Sequence, residues 1–204
     1  MKFLHRPDLF SWAAFDEPRN VDFNGHLWMA PSGGIAVDPM PLTEHDAAHI
    51  DALGGVRWIL LTNADHVRAA AWMAERWGAR IAAPAAERDL PDLQGLDVAH
   101  WMTPHEVLPC GIQCLPMEGS KTPGELAFLL PDGSAVICGD LVRGQRAGSL
   151  NLLPDAKLAD RGAAVRSVAR LAALPGLQAV LVGDGQSVFS EGAARLSALL
   201  EAMS

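Results

Sequence analysis

Four strand-like runs in this chain end in residues that can do chemistry. Leu60-Leu61 leads into Thr62-Asn63-Ala64-Asp65-His66, Val136-Ile137-Cys138 into Gly139-Asp140, and Leu181-Val182 into Gly183-Asp184-Gly185. A fourth run, ending at Met117, leads into Glu118-Gly119-Ser120-Lys121-Thr122-Pro123-Gly124. Layered α/β proteins build their sites at the carboxyl ends of strands, because loops converge there and helix N-termini point inward. Glycines beside the acids let backbone come close to a ligand. Taken singly, Asp65 reads equally as an N-cap, and Gly139-Asp140 and Gly183-Asp184-Gly185 as turns. It is the recurrence of acids, with one His and one Lys, that marks a site. Arg143 and Arg146 follow Asp140 and can hold a carboxylate or phosphate, or pair with nearby acids. Ser120 and Thr122 show no His-and-acid arrangement in sequence, so they carry no nucleophile reading.

The elements that must position these groups follow from the hydrophobic pattern. Gly25–Ala30 and Gly34–Asp38 form a hairpin about Pro31-Ser32-Gly33. Thr43 is the N-cap of a helix from Glu44 to Leu53 that stops at Gly54-Gly55. Arg57–Leu61 is a strand buried on both faces. A helix over His66–Trp77 puts Val67, Ala70, Ala71, Ala74 and Trp77 on one stripe, with Trp72 also counted toward the core. Short strands are expected at Arg80–Ala83, Ile112–Met117, Leu126–Leu130 and Ala135–Cys138, the last two joined through Pro131-Asp132-Gly133. A long helix over Asp155–Leu174, a strand at Ala179–Val182 and a helix over Glu191–Met203 complete the chain. The stretch Asp89–Pro109 carries no assignable pattern. Trp12, in a loose amino-terminal segment, is open to covering a pocket or a partner, and His26 reads as a packed, hydrogen-bonded residue. Hairpins mixed with helix and strand units imply an α/β or α+β layered sandwich.

Composition narrows the classes of function. The 204 residues favour one domain, Met1 to Ser204, with enough apolar content (50 %) to bury a core without disulfides. Sixteen Lys and Arg against 24 Asp and Glu leave a net charge of −8, which argues against nucleic-acid partners and against docking on anionic lipid. The amino terminus lacks the apolar core of a signal peptide, and no run is long enough to span a membrane. Cys110, Cys114 and Cys138 read as reduced thiols, buried as small apolar residues, in a cytoplasmic protein. Symmetric dimers are the commonest assemblies, so a homodimer is expected.

In their order, the motifs resemble those of the metallo-β-lactamase superfamily from Gly25 to Met203. Gly34-Ile35-Ala36-Val37-Asp38 is similar to that family's opening strand ending in Asp. Thr62 followed by Asp65-His66 stands where the family writes Thr-His-x-His-x-Asp-His. Gly119-Ser120-Lys121-Thr122-Pro123-Gly124 resembles Gly-His-Thr-Pro-Gly with one extra residue. Gly139-Asp140 is similar to the pair that supplies a bridging ligand, and Gly183-Asp184-Gly185 stands at Gly-His-Gly. The resemblance implies a four-layer αβ/βα sandwich with two mixed sheets between helices.

It also implies a metal centre and a reaction. The family holds two metal ions and hydrolyses esters, thioesters, amides or phosphoesters with a metal-bound hydroxide. Here Asn63 takes the first His position and Lys121 the third, which closes the first metal position. The first motif is two residues short, so two alignments stand. In one, Asp65 and His66 match the family's Asp-His; in the other, Asp65 takes the second His position and Arg68 the last. The first alignment leaves a ligand set of Asp65, His66, Asp140 and Asp184 for one divalent ion, Zn²⁺, Mn²⁺ or Fe²⁺. Two functions follow. One is hydrolysis of a small ester, thioester or phosphoester, with Asp140 holding the ion, Lys121 stabilising developing charge, and Arg143 and Arg146 binding substrate. The other is a metal-free protein that binds a small anion or a protein partner, with Lys121 supplying the missing positive charge to Asp140 or Asp184.

Overall fold

A computed structural model describes residues 1–203. The chain packs as two compact units, Met1–Met102 and a second that starts at Thr103. Among the described residues, no helix is long and apolar enough to cross a membrane.

The first unit is built on a seven-stranded sheet whose spatial order follows the chain: β1 (Lys2–Phe3), β2 (Leu9–Asp16), β3 (Val21–Ala30), β4 (Gly33–Val37), β5 (Val56–Leu60), β6 (Arg80–Pro84) and β7 (Val98–Met102). The strands β1 to β4 pair antiparallel, and β4 to β7 pair parallel. Parallel neighbours need crossovers, and α1 (Glu44–Ala52) and α2 (Ala70–Trp77) supply two of them. Thr43 caps α1 as expected, its Oγ1 accepting the Asp46 N–H at 3.1 Å. Leu27, Ile50, Ile59, Leu61, Ala70 and Met73 form the core, each 0 % exposed.

Three expectations for this unit are corrected. The amino-terminal segment is not loose: β2 pairs with β3 from Leu9↔Trp28 to Asp16↔Val21. Trp12 is therefore buried, its Nε1–H donating to the Met40 carbonyl at 2.8 Å, and covers neither pocket nor partner. The second helix starts at Ala70 rather than His66, because Ala64–His66 form a single 3₁₀ turn and Arg68 takes φ +40°. That later start turns Ala70 and Met73 inward and leaves Trp72 40 % exposed, edge-on to Trp77 at 5.8 Å. The unassigned stretch holds a 3₁₀ turn at Pro91–Leu93 and the edge strand β7.

The second unit has a four-stranded sheet of β8 (Gln113–Pro116), β9 (Leu126–Leu129), β10 (Ala135–Cys138) and, after an excursion, β13 (Ala179–Val182). The excursion carries the ribbon β11 (Val142–Arg146) and β12 (Ser149–Leu152), then α3 (Arg161–Ala172); α4 (Gly192–Glu201) follows β13. The sheet is mixed, because β10 pairs antiparallel with β9 and parallel with β13. The strands β10 and β13 are buried throughout, which stabilises the centre by roughly 1.5–3 kcal/mol for each large aliphatic side chain. The long helix expected over Asp155–Leu174 is shorter. Asp155–Lys157 form a 3₁₀ turn, and the Asp160 carboxylate then caps α3 by accepting the Ala163 N–H at 2.9 Å. Cys114 and Cys138 are buried free thiols and Cys110 is half-buried. Burial, with the nearby Glu106 and Cys110, pushes the Cys114 thiol up to about 12.

Candidate functional site

In the second unit the register of two strands brings the expected groups together. Cys138 on β10 is paired with Val182 on β13, and Gly183 N–H donates to the Cys138 carbonyl at 3.0 Å. Each strand is followed by Gly-Asp, so Asp140 and Asp184 stand beyond the carboxyl ends of neighbouring parallel strands. The chain after Asp140 then runs beside the chain after β13. Gly144 N–H donates to the Asp184 carbonyl at 2.9 Å, and Gln186 N–H to the Gly144 carbonyl at 2.7 Å. A side chain at Gly144 would meet the Gln186 carbonyl, so this close approach requires glycine.

Each of these two carboxylates holds a cation. Lys121 Nζ lies 2.8 Å from Asp140 Oδ2, the ammonium side chain 29 % exposed and the carboxylate 5 %. The Arg143 guanidinium bonds Asp184 Oδ2, and that pair is more deeply covered, at 12 % and 3 %. Arg143 Nε, Asp184 Oδ1 and Thr122 Oγ1 are buried without a hydrogen bond among the described residues. Arg146 differs from Arg143: it is exposed toward the tip of the β11–β12 ribbon, in register with Ser149.

Beneath the Lys121–Asp140 pair sits Glu125, 2 % exposed, which the sequence reading did not single out. Its Oε1 accepts the N–H groups of Asp140 and Leu141, each at 2.9 Å, and its Oε2 accepts the Ser120 hydroxyl. Burial, and next the Asp140 charge, push its carboxyl up to about 7, against the pull of the Ser120 and backbone hydrogen bonds. The one signal in sequence is an acid directly before the apolar Leu126-Ala127-Phe128, where a charge has no reason to stand unless its partners are nearby.

In the first unit the groups gather around Asp38, which directly follows β4 and takes φ +48°. Its Oδ1 accepts the Thr62 N–H at 2.8 Å, and its Oδ2 accepts the Thr62 hydroxyl at 2.6 Å and faces His66 Nδ1 at 2.8 Å. Burial alone would raise the Asp38 carboxyl; the His66 charge and hydrogen bond, with Arg68 and Thr62, outweigh it and hold it below the usual range. His66 is 3 % exposed, while Asp65 next to it is exposed, its N–H donating to Asn63 Oδ1 at 3.0 Å. Glu87, wholly buried, accepts the Ala64 N–H and so pins the same loop. His26 is packed, 1 % exposed.

Within each unit these donors are engaged by other side chains. Among the described residues, no group of three or more His, Cys, Asp or Glu side chains is arranged to hold a metal ion. Of the ligand set expected from the resemblance, Asp65 and His66 belong to the first unit and Asp140 and Asp184 to the second. Asp65 is exposed, His66 is oriented by Asp38 through Nδ1, and the two remaining carboxylates are paired with Lys121 and Arg143. A dication sharing the Asp140 carboxylate with an ammonium about 4 Å away would meet a repulsion on the order of 8 kcal/mol at an effective dielectric of 20.

Comparison with known proteins places the chain in a family. A hydroxyacylglutathione hydrolase of Acidiphilium cryptum is 34 % identical over 124 residues, which are 57 % of this chain and 49 % of that one. This chain thus spans about half the length of that curated relative. Among solved structures, the DIM-1 metallo-β-lactamase superposes with a TM-score of 0.74 at 16 % identity, over 98 % of this chain and 95 % of that one. The protein TTHA1623, solved in a di-iron-bound form, gives 0.66 at 25 % identity, over 91 % and 98 %. The fold is that of the metallo-β-lactamases, α/β with two mixed sheets and helices. A profile of the metallo-β-lactamase superfamily matches residues 1–203, and the chain belongs to that superfamily.

Proposed function

We propose that this chain is a metal-independent member of its superfamily whose second unit binds a small anionic ligand at Lys121. The observation that carries this reading is the 2.8 Å contact between Lys121 Nζ and Asp140 Oδ2. An ammonium there balances the Asp140 carboxylate without a dication. At 29 % exposure it also keeps contact with solvent, from which a carboxylate or phosphate oxygen can approach it. Arg143 holds Asp184 in the same manner, which supports a purpose for cations at both strand ends.

The test combines elemental analysis of protein purified without chelator with calorimetric titration of inorganic phosphate into wild type and Lys121→Ala. We expect substoichiometric transition metal, and phosphate binding that the substitution abolishes. Stoichiometric metal, or equal binding by Lys121→Ala, overturns the reading.

A second reading is hydrolysis of a small thioester, ester or phosphoester. The match to a hydroxyacylglutathione hydrolase favours it. Lys121 would then stabilise negative charge developing on the substrate carbonyl or phosphoryl oxygen. A panel of acyl thioesters, assayed with and without added divalent ions, decides it: turnover lost in Lys121→Ala would replace simple binding with catalysis.

A further inference from the structure

We infer that Glu125 is the positioning residue of the Lys121–Asp140 pair, a buried acceptor that fixes the backbone on both sides of it. This rests on the reading of Lys121 as an anion site and adds how that site is held in place. Three donors converge on one carboxylate: Asp140 N–H, Leu141 N–H and the Ser120 hydroxyl. Two of them belong to the turn that carries Asp140. The third belongs to the residue immediately before Lys121. One side chain therefore ties the two loops whose charged groups meet at 2.8 Å.

The tie is anchored at its own base. Met117 N–H donates to the Glu125 carbonyl at 2.9 Å, so the backbone of Glu125 is held where β8 ends and β9 begins. Each loop is otherwise rich in glycine: Gly119 and Gly124 flank Ser120-Lys121-Thr122-Pro123, and Gly139 precedes Asp140. Loops of that composition lose much conformational freedom on ordering. A long, exposed lysine side chain binds an anion well only when its partner carboxylate stays put, and the buried glutamate does that through backbone donors. The acid acts through hydrogen bonds rather than by touching the ligand.

A conservative substitution separates hydrogen bonding from charge. In Glu125→Gln the amide oxygen can still accept both backbone N–H groups, and the Ser120 hydroxyl can turn to accept from the amide NH₂. In Glu125→Leu no acceptor remains. Amide hydrogen exchange at Asp140 and Leu141, read by NMR, is compared with exchange along β10 and β13. Calorimetric titration of inorganic phosphate runs alongside.

Glu125→Leu should speed exchange at Asp140 and Leu141 by about tenfold or more, with β10 and β13 unchanged. Phosphate affinity should weaken by a similar factor, and Glu125→Gln should restore both. Unchanged exchange at the two amides in Glu125→Leu overturns the inference, as does faster exchange throughout the unit. Failure of Glu125→Gln to rescue also overturns it, since the role would then be one of charge. If wild type binds no phosphate, the anion-site reading fails, while the exchange data still decide what Glu125 does to the loops.

Discussion

Lys121 Nζ and Asp140 Oδ2 lie 2.8 Å apart, joining two loops that are 19 residues apart in sequence (140 − 121). Removing either member leaves the other's charge in a poorer environment, and Asp140, at 5 % exposure, suffers more. We expect Lys121→Met to cost on the order of 1–3 kcal/mol in urea unfolding. Most of that should return in the double variant Lys121→Met with Asp140→Asn, because neither charge is then stranded. A double variant no more stable than the single one would show that the pair is not the coupled unit described.

The Arg143–Asp184 pair is more deeply covered, so breaking it should cost more. Asp184→Ala leaves a guanidinium only 12 % exposed without its carboxylate, and a loss of about 3–5 kcal/mol is expected. Arg146→Ala, on the exposed ribbon tip, should fall within about 0.5 kcal/mol of wild type. Equilibrium denaturation of the two variants side by side checks the contrast.

Two acids pull the pH dependence of stability in opposite directions. Asp38 has its folded-state pKa held below the ordinary 3.8, so its contribution is present above that value and is lost as pH falls below it. Glu125 is raised from 4.5 to about 7, so its contribution is full below 4.5 and fades as pH rises toward 7, by on the order of 3 kcal/mol. Glu125→Gln should therefore flatten the stability profile between those values. Thermal unfolding across the range measures it, and a variant profile parallel to wild type would contradict the shift.

Glu87 offers a test in the first unit. It is 0 % exposed and accepts the Ala64 N–H, so Glu87→Ala leaves a buried donor unsatisfied and opens a cavity. A loss of about 1–3 kcal/mol is expected from the unsatisfied donor alone, with faster amide exchange at Ala64 as its local signature.

Much of the fold was legible because it rests on local patterning. Thr43 and the Gly54-Gly55 pair bracket α1, and uninterrupted apolar runs mark β10 and β13 as buried on both faces, whereas β5, expected to be the same, buries Val56, Ile59 and Leu60 and exposes Arg57. The misplaced start of α2 came from a feature that periodicity does not carry: Arg68 adopts a positive φ between an Asn63-capped 3₁₀ turn and the helix. The strand β2 was missed because its apolar residues do not alternate, Leu9 and Phe10 both being buried while Phe15 is exposed, and only pairing with β3 makes a strand of it.

Sequence alone determined that acids, a lysine and an arginine stand at the ends of buried strands, since residue type and strand periodicity are both written along the chain. It left open whether those acids would hold a metal or an internal cation, because both need carboxylates at the same places. Only the tertiary structure decided that Lys121 pairs with Asp140, that Arg143 pairs with Asp184, and that His66 meets Asp38. The physical reason is that an ion pair depends on distances between residues far apart in the chain. Glu125 shows the same limit: a buried acid reveals its role only when the donors that satisfy it have been brought to it.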